Sequence, residues 1–206
     1  MTDSGTKPGD FGDRPGQRRV LHRGAKFDFV EVTLPGLGGR TLVRQMVEHP
    51  GAVIILPILL PMREGTGRDG AAGGAEIVLI ENERFSVGKA LVELPAGTLE
   101  AGEDPAACAA RELEEETGFA AATIEPLGRF YTSPGLSNEV MHAFVARGLT
   151  RVGQRLEPDE RIRVRIERVE DAIEMVRTGA IEDAKTMLTL LLARDRGLLG
   201  PGSAGS

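Results

Sequence analysis

The chain is 206 residues long with a mass of 22.0 kDa, enough for one sizeable domain with a small appendage. Hydrophobic residues make up 41% and charged residues 27%, with 4% aromatics and no Trp, which points to a globular core of Val, Ile, Leu and Ala and excludes fibrous or membrane-embedded classes. A net charge of −6 argues against a general nucleic-acid surface, which needs a basic patch that this sequence nowhere concentrates.

Residues 1–17 are rich in Gly and Pro and are predicted to be disordered; they hold no apolar signal-peptide core, so a cytoplasmic location is expected. Strands are predicted at 27–34 and 40–47 from β-branched content and bounding Gly and Pro. The run AVIILPILL at 52–60 falls far short of the roughly 18 residues that span a bilayer, and it reads as a buried strand despite Pro57. REGTGRDGAAGGAE at 63–76 reads as a surface connection; its glycines lack the spacing and the following helix of a phosphate-binding loop. Further strands are predicted at 77–81, 90–94, 123–131, 139–147 and 161–167, the last with arginines alternating outward. Asp104 and Pro105 make an N-cap and first-turn pair and Gly118 a C-terminal stop, so a helix is predicted over 105–117. Two more helices, 169–179 and 181–196, follow from apolar spacing, and a Gly-rich tail, predicted to be disordered, closes the chain at 197–206.

The helix at 105–117 raises a question of charge. At about 100° per residue, Glu112, Glu115 and Glu116 share one arc while Ala106, Ala110, Leu113 and Thr117 lie on a different, packing side. Like charges at this spacing cost a few tenths of a kcal/mol each in water and more where water is excluded. A solvated acidic face is one reading; a bound divalent cation is the other. A single Cys108 and three scattered histidines rule out a cysteine cage or an HExxH site, so any metal is held mainly by oxygen, which favours Mg²⁺, Mn²⁺ or Ca²⁺ over zinc.

Gly97, Glu103, Arg111, Glu112, Leu113, Glu115, Glu116, Gly118 and Phe119 stand at the fixed spacings of the Nudix box, nine positions within 23 residues. The chain therefore resembles the Nudix hydrolases. The resemblance implies an α+β fold, an α/β/α sandwich with a mixed sheet over 49–196, preceded by a small antiparallel β subdomain over 18–48. It also implies Mg²⁺, with Mn²⁺ as an alternative, on Glu112, Glu115, Glu116 and the main chain of Ala96. Arg111 and Glu115 belong to the implied catalytic set, and Gly97, Glu103 and Gly118 to its framework.

TSPGLSNE at 132–139, with Pro134 fifteen residues after Phe119, looks like the loop that marks the ADP-ribose pyrophosphatases of the family, although an ordinary turn would read the same way. EHPGAV, ELPAGTLE and DAKT also look like that subgroup. By the same resemblance Glu160, with Glu157 as the nearby alternative, orients the attacking water. Arg84, Arg44, Phe27, Ser133, Pro134 and Gly135 contact the substrate; Arg84 suits a pyrophosphate through paired hydrogen bonds, and Phe27 either stacks on adenine or fills a core. Glu81, Asn82 and Glu83 depart from the subgroup's basic and aromatic run. The implied activity is hydrolysis of ADP-ribose to AMP and ribose 5-phosphate by a homodimer. The alternatives are another nucleoside diphosphate sugar such as GDP-mannose, and a nucleotide sensor that does not cut.

Overall fold

The computed structural model describes residues 17–36, 39–59, 75–158 and 160–199. The disorder predicted for 1–16 and 200–206, and the connection at 63–74, lie outside the described residues. Two compact units are present, one made of Met1–His49 with Ser133–Glu139, the other of Pro50–Thr132 with Val140–Ser206.

In the first unit β1 (Gln17–Arg23), β2 (Asp28–Pro35) and β3 (Thr41–Glu48) form an antiparallel sheet in that order. β1 escapes sequence reading because QRRVLHR has no apolar alternation and every residue except Val20 is exposed. Opposed charges accompany its antiparallel ladder to β2, with Arg19 bonded to Glu31 directly across the strands at 2.8 Å. Ser133–Glu139 joins this unit through Leu136 O, which accepts from Val47 N (2.9 Å), and through the Asn138 side chain, whose Oδ1 accepts from His49 N (2.8 Å).

In the second unit β4 (Ala52–Leu59), β5 (Glu76–Arg84), β6 (Lys89–Glu93), β7 (Ala96–Thr98), β9 (Thr123–Tyr131), β10 (Val140–Arg147) and β12 (Ile162–Arg168) make one mixed sheet. Its order is β12-β5-β4-β10-β9, with β6 on β5 and β7 on β4, and β10 runs parallel to β4. β8 (Phe119–Ala120) and β11 (Thr150–Arg151) pair with each other. β7, β8 and β11 are too short for a two-residue period to register in sequence.

β4 is the centre of this unit because it is apolar on both faces. Val53 and Ile55 pack with Cys108, Ala109 and Leu113 of α1 (Pro105–Thr117). Ile54, Leu56 and Ile58 pack with Ala172 and Ile173 of α2 (Val169–Thr178) and with Leu190 and Ala193 of α3 (Ala184–Asp195). The layers are thus helix, mixed sheet, helices, and each fully buried Ile or Leu contributes roughly 1.5–3 kcal/mol. Pro57 is tolerated in this central strand because β7 pairing stops at Ile54 and antiparallel pairing with β5 begins at Ile58, so its missing N–H falls in the gap between partners.

The helices and the C-terminal end differ from expectation. α3 starts at Ala184 because the Asp183 side chain accepts from Thr186 N (2.9 Å), leaving Ile181 as a buried residue of the connection. The ordered chain continues past 196, with Leu198 N donating to Ala193 O (3.0 Å) and Leu199 buried in the core. The buried stripe of α1 is Cys108, Ala109, Glu112, Leu113, Glu116 and Thr117, while Ala106 is exposed and Ala110 half-buried. Glu112 and Glu116 therefore sit within the buried face and are not opposite it. No helix among the described residues is long and apolar enough to cross a membrane.

Candidate active site

α1 is built to hold its side chains in fixed places. Its first turn is capped by Asp104, whose Oδ1 accepts from Ala106 N (2.9 Å) and Ala107 N (3.1 Å), with Pro105 at the first position. Gly118 closes it in the left-handed conformation (φ 71°) and donates to Glu114 O. Main-chain carbonyls near the end of the helix are taken up by one loop: Arg155 N donates to Glu115 O (3.0 Å), Gln154 Nε2 to Glu116 O (2.6 Å) and Val152 N to Gly118 O (2.8 Å). That loop leads directly to Glu160.

The buried face of α1 meets β7. Glu116, 3% exposed, accepts from Ala96 N on Oε2 (2.8 Å), and the Glu112 carboxyl, on a residue 9% exposed, lies directly against Gly97. A Cβ at position 97 would stand 1.9 Å from Glu112 Cδ. Only glycine leaves room there, which is the physical reason for the first residue of the box.

Arg111 is the cation among these acids. Its Nε and Nη2 form a fork on Glu103 (3.0 and 3.1 Å), and its Nη1 reaches both Glu112 (2.7 Å) and Glu115 (3.0 Å). Glu103 also accepts from Glu100 N (2.9 Å); the Arg111 fork, then that backbone bond, holds its carboxyl down to about 2. The Glu115 side chain is more open than that of Glu112, 32% against 12% exposed. Cys108 is a small buried residue whose thiol is pushed up to about 12 by burial and then by Glu103, which makes it unreactive.

Glu112 and Glu116 experience the opposite push. Burial raises both, Glu116 to about 8, and the charge of Glu160 adds to the rise at each. Arg111 offsets part of this at Glu112; the Ala96 N–H and the Arg84 charge do so at Glu116. Glu160 is half-buried and accepts from Glu157 N (2.9 Å), whereas Glu157 is exposed. Of the two loop glutamates, Glu160 is the one whose charge is felt at Glu112 and Glu116.

In this arrangement no three Asp, Glu, His or Cys side chains among the described residues converge as a metal cage. The donor set nevertheless fits a hard divalent cation: it is all carboxylate, and its two buried members disfavour each other's charge, which a cation between them would relieve. Glu112 and Glu116, with Glu115, whose charge acts on Glu112, and Glu160, whose charge acts on both, are the residues that would hold it.

Arg84 carries a finding that sequence reading missed. Its Nε and Nη2 are committed to Glu93 (2.8 and 2.7 Å), a fully buried carboxylate at the end of β6, so one edge of the guanidinium is already occupied. Lys185, of the DAKT segment, bonds the same Glu93 at 2.6 Å. The acidic departure at Glu81 also has a partner: Arg163 and Arg165 of β12 pair with it at 2.6 and 3.0 Å.

Phe27, Arg44, Ser133, Pro134 and Gly135 belong to the first unit. Phe27 is 51% exposed, with its ring 6.2 Å from that of His49, so it is not a core residue of that unit. Arg44 is exposed on β3 and donates to Val43 O (3.0 Å). Ser133 O closes a turn by accepting from Leu136 N and Ser137 N (both 2.9 Å), with Pro134 and Gly135 exposed between.

A family profile described as NUDIX domain matches residues 66–190. The chain is 37% identical over 158 residues to the ADP-ribose pyrophosphatase of Bacillus subtilis (strain 168), covering 76% of this chain and 77% of that one. It is 36% identical over 170 residues to the methanol dehydrogenase activator of Bacillus methanolicus, covering 82% and 84%. Among solved structures, an ADP compounds hydrolase has the same fold, with a TM-score of 0.69 at 20% identity over 88% of this chain and 92% of that one.

Two glycine substitutions separate site from scaffold. Gly97→Ala meets only the movable end of Glu112, so it should melt close to wild type while losing turnover about tenfold or more as that carboxylate is displaced. Gly118→Ala meets the Gln154 and Gly153 backbone at 2.7 and 2.9 Å from a left-handed conformation, and should lose about 1–3 kcal/mol of stability. Thermal melts beside steady-state rates read both; equal stability loss in the two variants would contradict the assignment.

Proposed function

The chain belongs to the Nudix family, and from that premise we propose that it hydrolyses ADP-ribose, with Mg²⁺ or Mn²⁺, to AMP and ribose 5-phosphate. The observation that carries this reading is the pair of buried carboxylates, Glu112 against Gly97 and Glu116 on Ala96 N. A divalent cation held there supplies charge for the phosphate oxygens and a more acidic attacking water. The anhydride bond breaks as the water oxygen bonds to one phosphorus, the other phosphate leaving on its own half of the substrate. Glu160, whose charge is felt at Glu112 and Glu116, would take the water's proton. Arg111 holds Glu103, Glu112 and Glu115 in place, and Arg84 offers its outer edge to the diphosphate.

ADP-ribose is preferred over GDP-mannose because TSPGLSNE, ELPAGTLE and DAKT stand together in this chain with the box, and because of the similarity to the Bacillus subtilis pyrophosphatase over three quarters of both proteins. Purified protein with Mg²⁺ should turn over ADP-ribose faster than GDP-mannose or dinucleotides in a phosphate-release assay. Glu116→Gln should lower kcat by about 100-fold or more with the melt retained. Preference for a substrate lacking the ribose-phosphate arm would overturn the substrate, and undiminished turnover in Glu116→Gln would overturn the site; binding without any hydrolysis would make the protein a sensor.

The proposal extends to a homodimer. Leu21, Phe29 and Val43, one from each strand of the N-terminal sheet, are 38%, 39% and 46% exposed, apolar side chains that a second copy would cover. Sedimentation should give twice 22.0 kDa, and a concentration-independent monomer would contradict it.

A further inference from the structure

Glu93 has zero exposure and accepts three charge-assisted hydrogen bonds from two cations, Arg84 through Nε and Nη2 and Lys185 through Nζ. Lys185 also donates to Asp183 Oδ1 (2.8 Å), the residue that caps α3 by accepting from Thr186 N (2.9 Å) and Thr186 Oγ1 (2.6 Å). Thr186 Oγ1 in turn accepts from Leu94 N (2.9 Å), the residue after Glu93. The end of β6 and the start of α3 thus close a ring of bonds around one carboxylate. Burial pushes Glu93 up, but the bond from Arg84 and the charges of Lys185 and Arg84 together outweigh it and keep the carboxyl ionised.

A guanidinium has two edges that can form a fork. Here the inner one is spent on a carboxylate that could not remain buried and charged without a second cation once Arg84 also faces a phosphate. We propose that Glu93 and Lys185 are positioning residues for Arg84. They fix its guanidinium by the Nε/Nη2 edge so that the Nη1/Nη2 edge is presented to the substrate diphosphate. Lys185 balances Glu93 when Arg84 is shared with that second anion. The proposal rests on reading Arg84 as a substrate contact, which its interaction with the Glu116 charge supports.

The test is a double-mutant cycle on ADP-ribose hydrolysis by the full chain with Mg²⁺, using Arg84→Ala, Lys185→Met and both together, with a thermal melt of each. Arg84→Ala should raise KM about tenfold or more, and Lys185→Met about fivefold, with kcat within about twofold. The double variant should match Arg84→Ala, since Lys185 then has nothing left to position, and Lys185→Arg should restore most of the affinity. A stability loss that leaves KM unchanged would mark the ring as a purely structural joint between α3 and β6 and overturn the proposal. Effects on KM that multiply in the double variant, or a fall in kcat alone, would overturn it while leaving Arg84 as a substrate contact. An unchanged KM in Arg84→Ala would remove both. If Lys185→Met does not fold, Lys185→Gln, which keeps a donor without the charge, carries the same comparison.

Discussion

Glu112 lies against Gly97 so closely that a Cβ there would meet its carboxyl, and this contact between α1 and β7 is the constraint on which the site depends. α1 is pressed to that position by Cys108, Ala109 and Leu113 on one face of β4, while β7 is laddered to the same strand through Ala52, Val53 and Ile54. One buried strand therefore fixes both walls of the site. The electrostatic consequence is severe, because two carboxylates are taken out of water beside each other and within reach of a third. Arg111 relieves only part of it, since its fork is spent mainly on Glu103. An arrangement that disfavours its own charges in this way is the form expected of a site completed by a cation.

The loop that brings Glu160 into range is mounted on helix-end chemistry. The last carbonyls of any α-helix lack intrahelical partners, and here several of them receive N–H groups from residues 152–155. Residues 152–155 are thereby tied to the helix that carries Glu112, Glu115 and Glu116, and Glu160 follows five residues after Arg155. Gly118 is part of the same mount, since any larger residue would push against the backbone of Gly153 and Gln154.

Much of this was legible in the sequence where local chemistry decides structure. Asp104, Pro105 and Gly118 mark both ends of α1, and the apolar run at 52–60 announces a strand buried on both faces. The box residues could be named because their spacing is carried by a single helix and the short loop before it. What could not be read is what depends on partners distant in sequence. β1 is laddered to β2 with opposed charges across the strands, and its own residues carry no apolar pattern. The helix's packing side was misplaced because small alanines give little contrast around the helix, and burial of Glu112 and Glu116 needs β7 to be known. The ring of Glu93, Arg84, Lys185 and Asp183 joins three separate segments, of which ELPAGTLE and DAKT were noticed as motifs without any role for the charged residues in them.

The account stands on those crowded carboxylates accepting a divalent ion in exchange for their mutual repulsion. The direct measurement is a titration of metal-free protein with Mn²⁺, following the free-ion signal by electron paramagnetic resonance, in wild type and in the Glu112→Gln, Glu116→Gln double variant. Saturable binding in the wild type, lost or weakened by about 100-fold or more in the variant, is the predicted result. Mn²⁺ that stays free in the presence of the wild type, or binds both proteins alike, would contradict it.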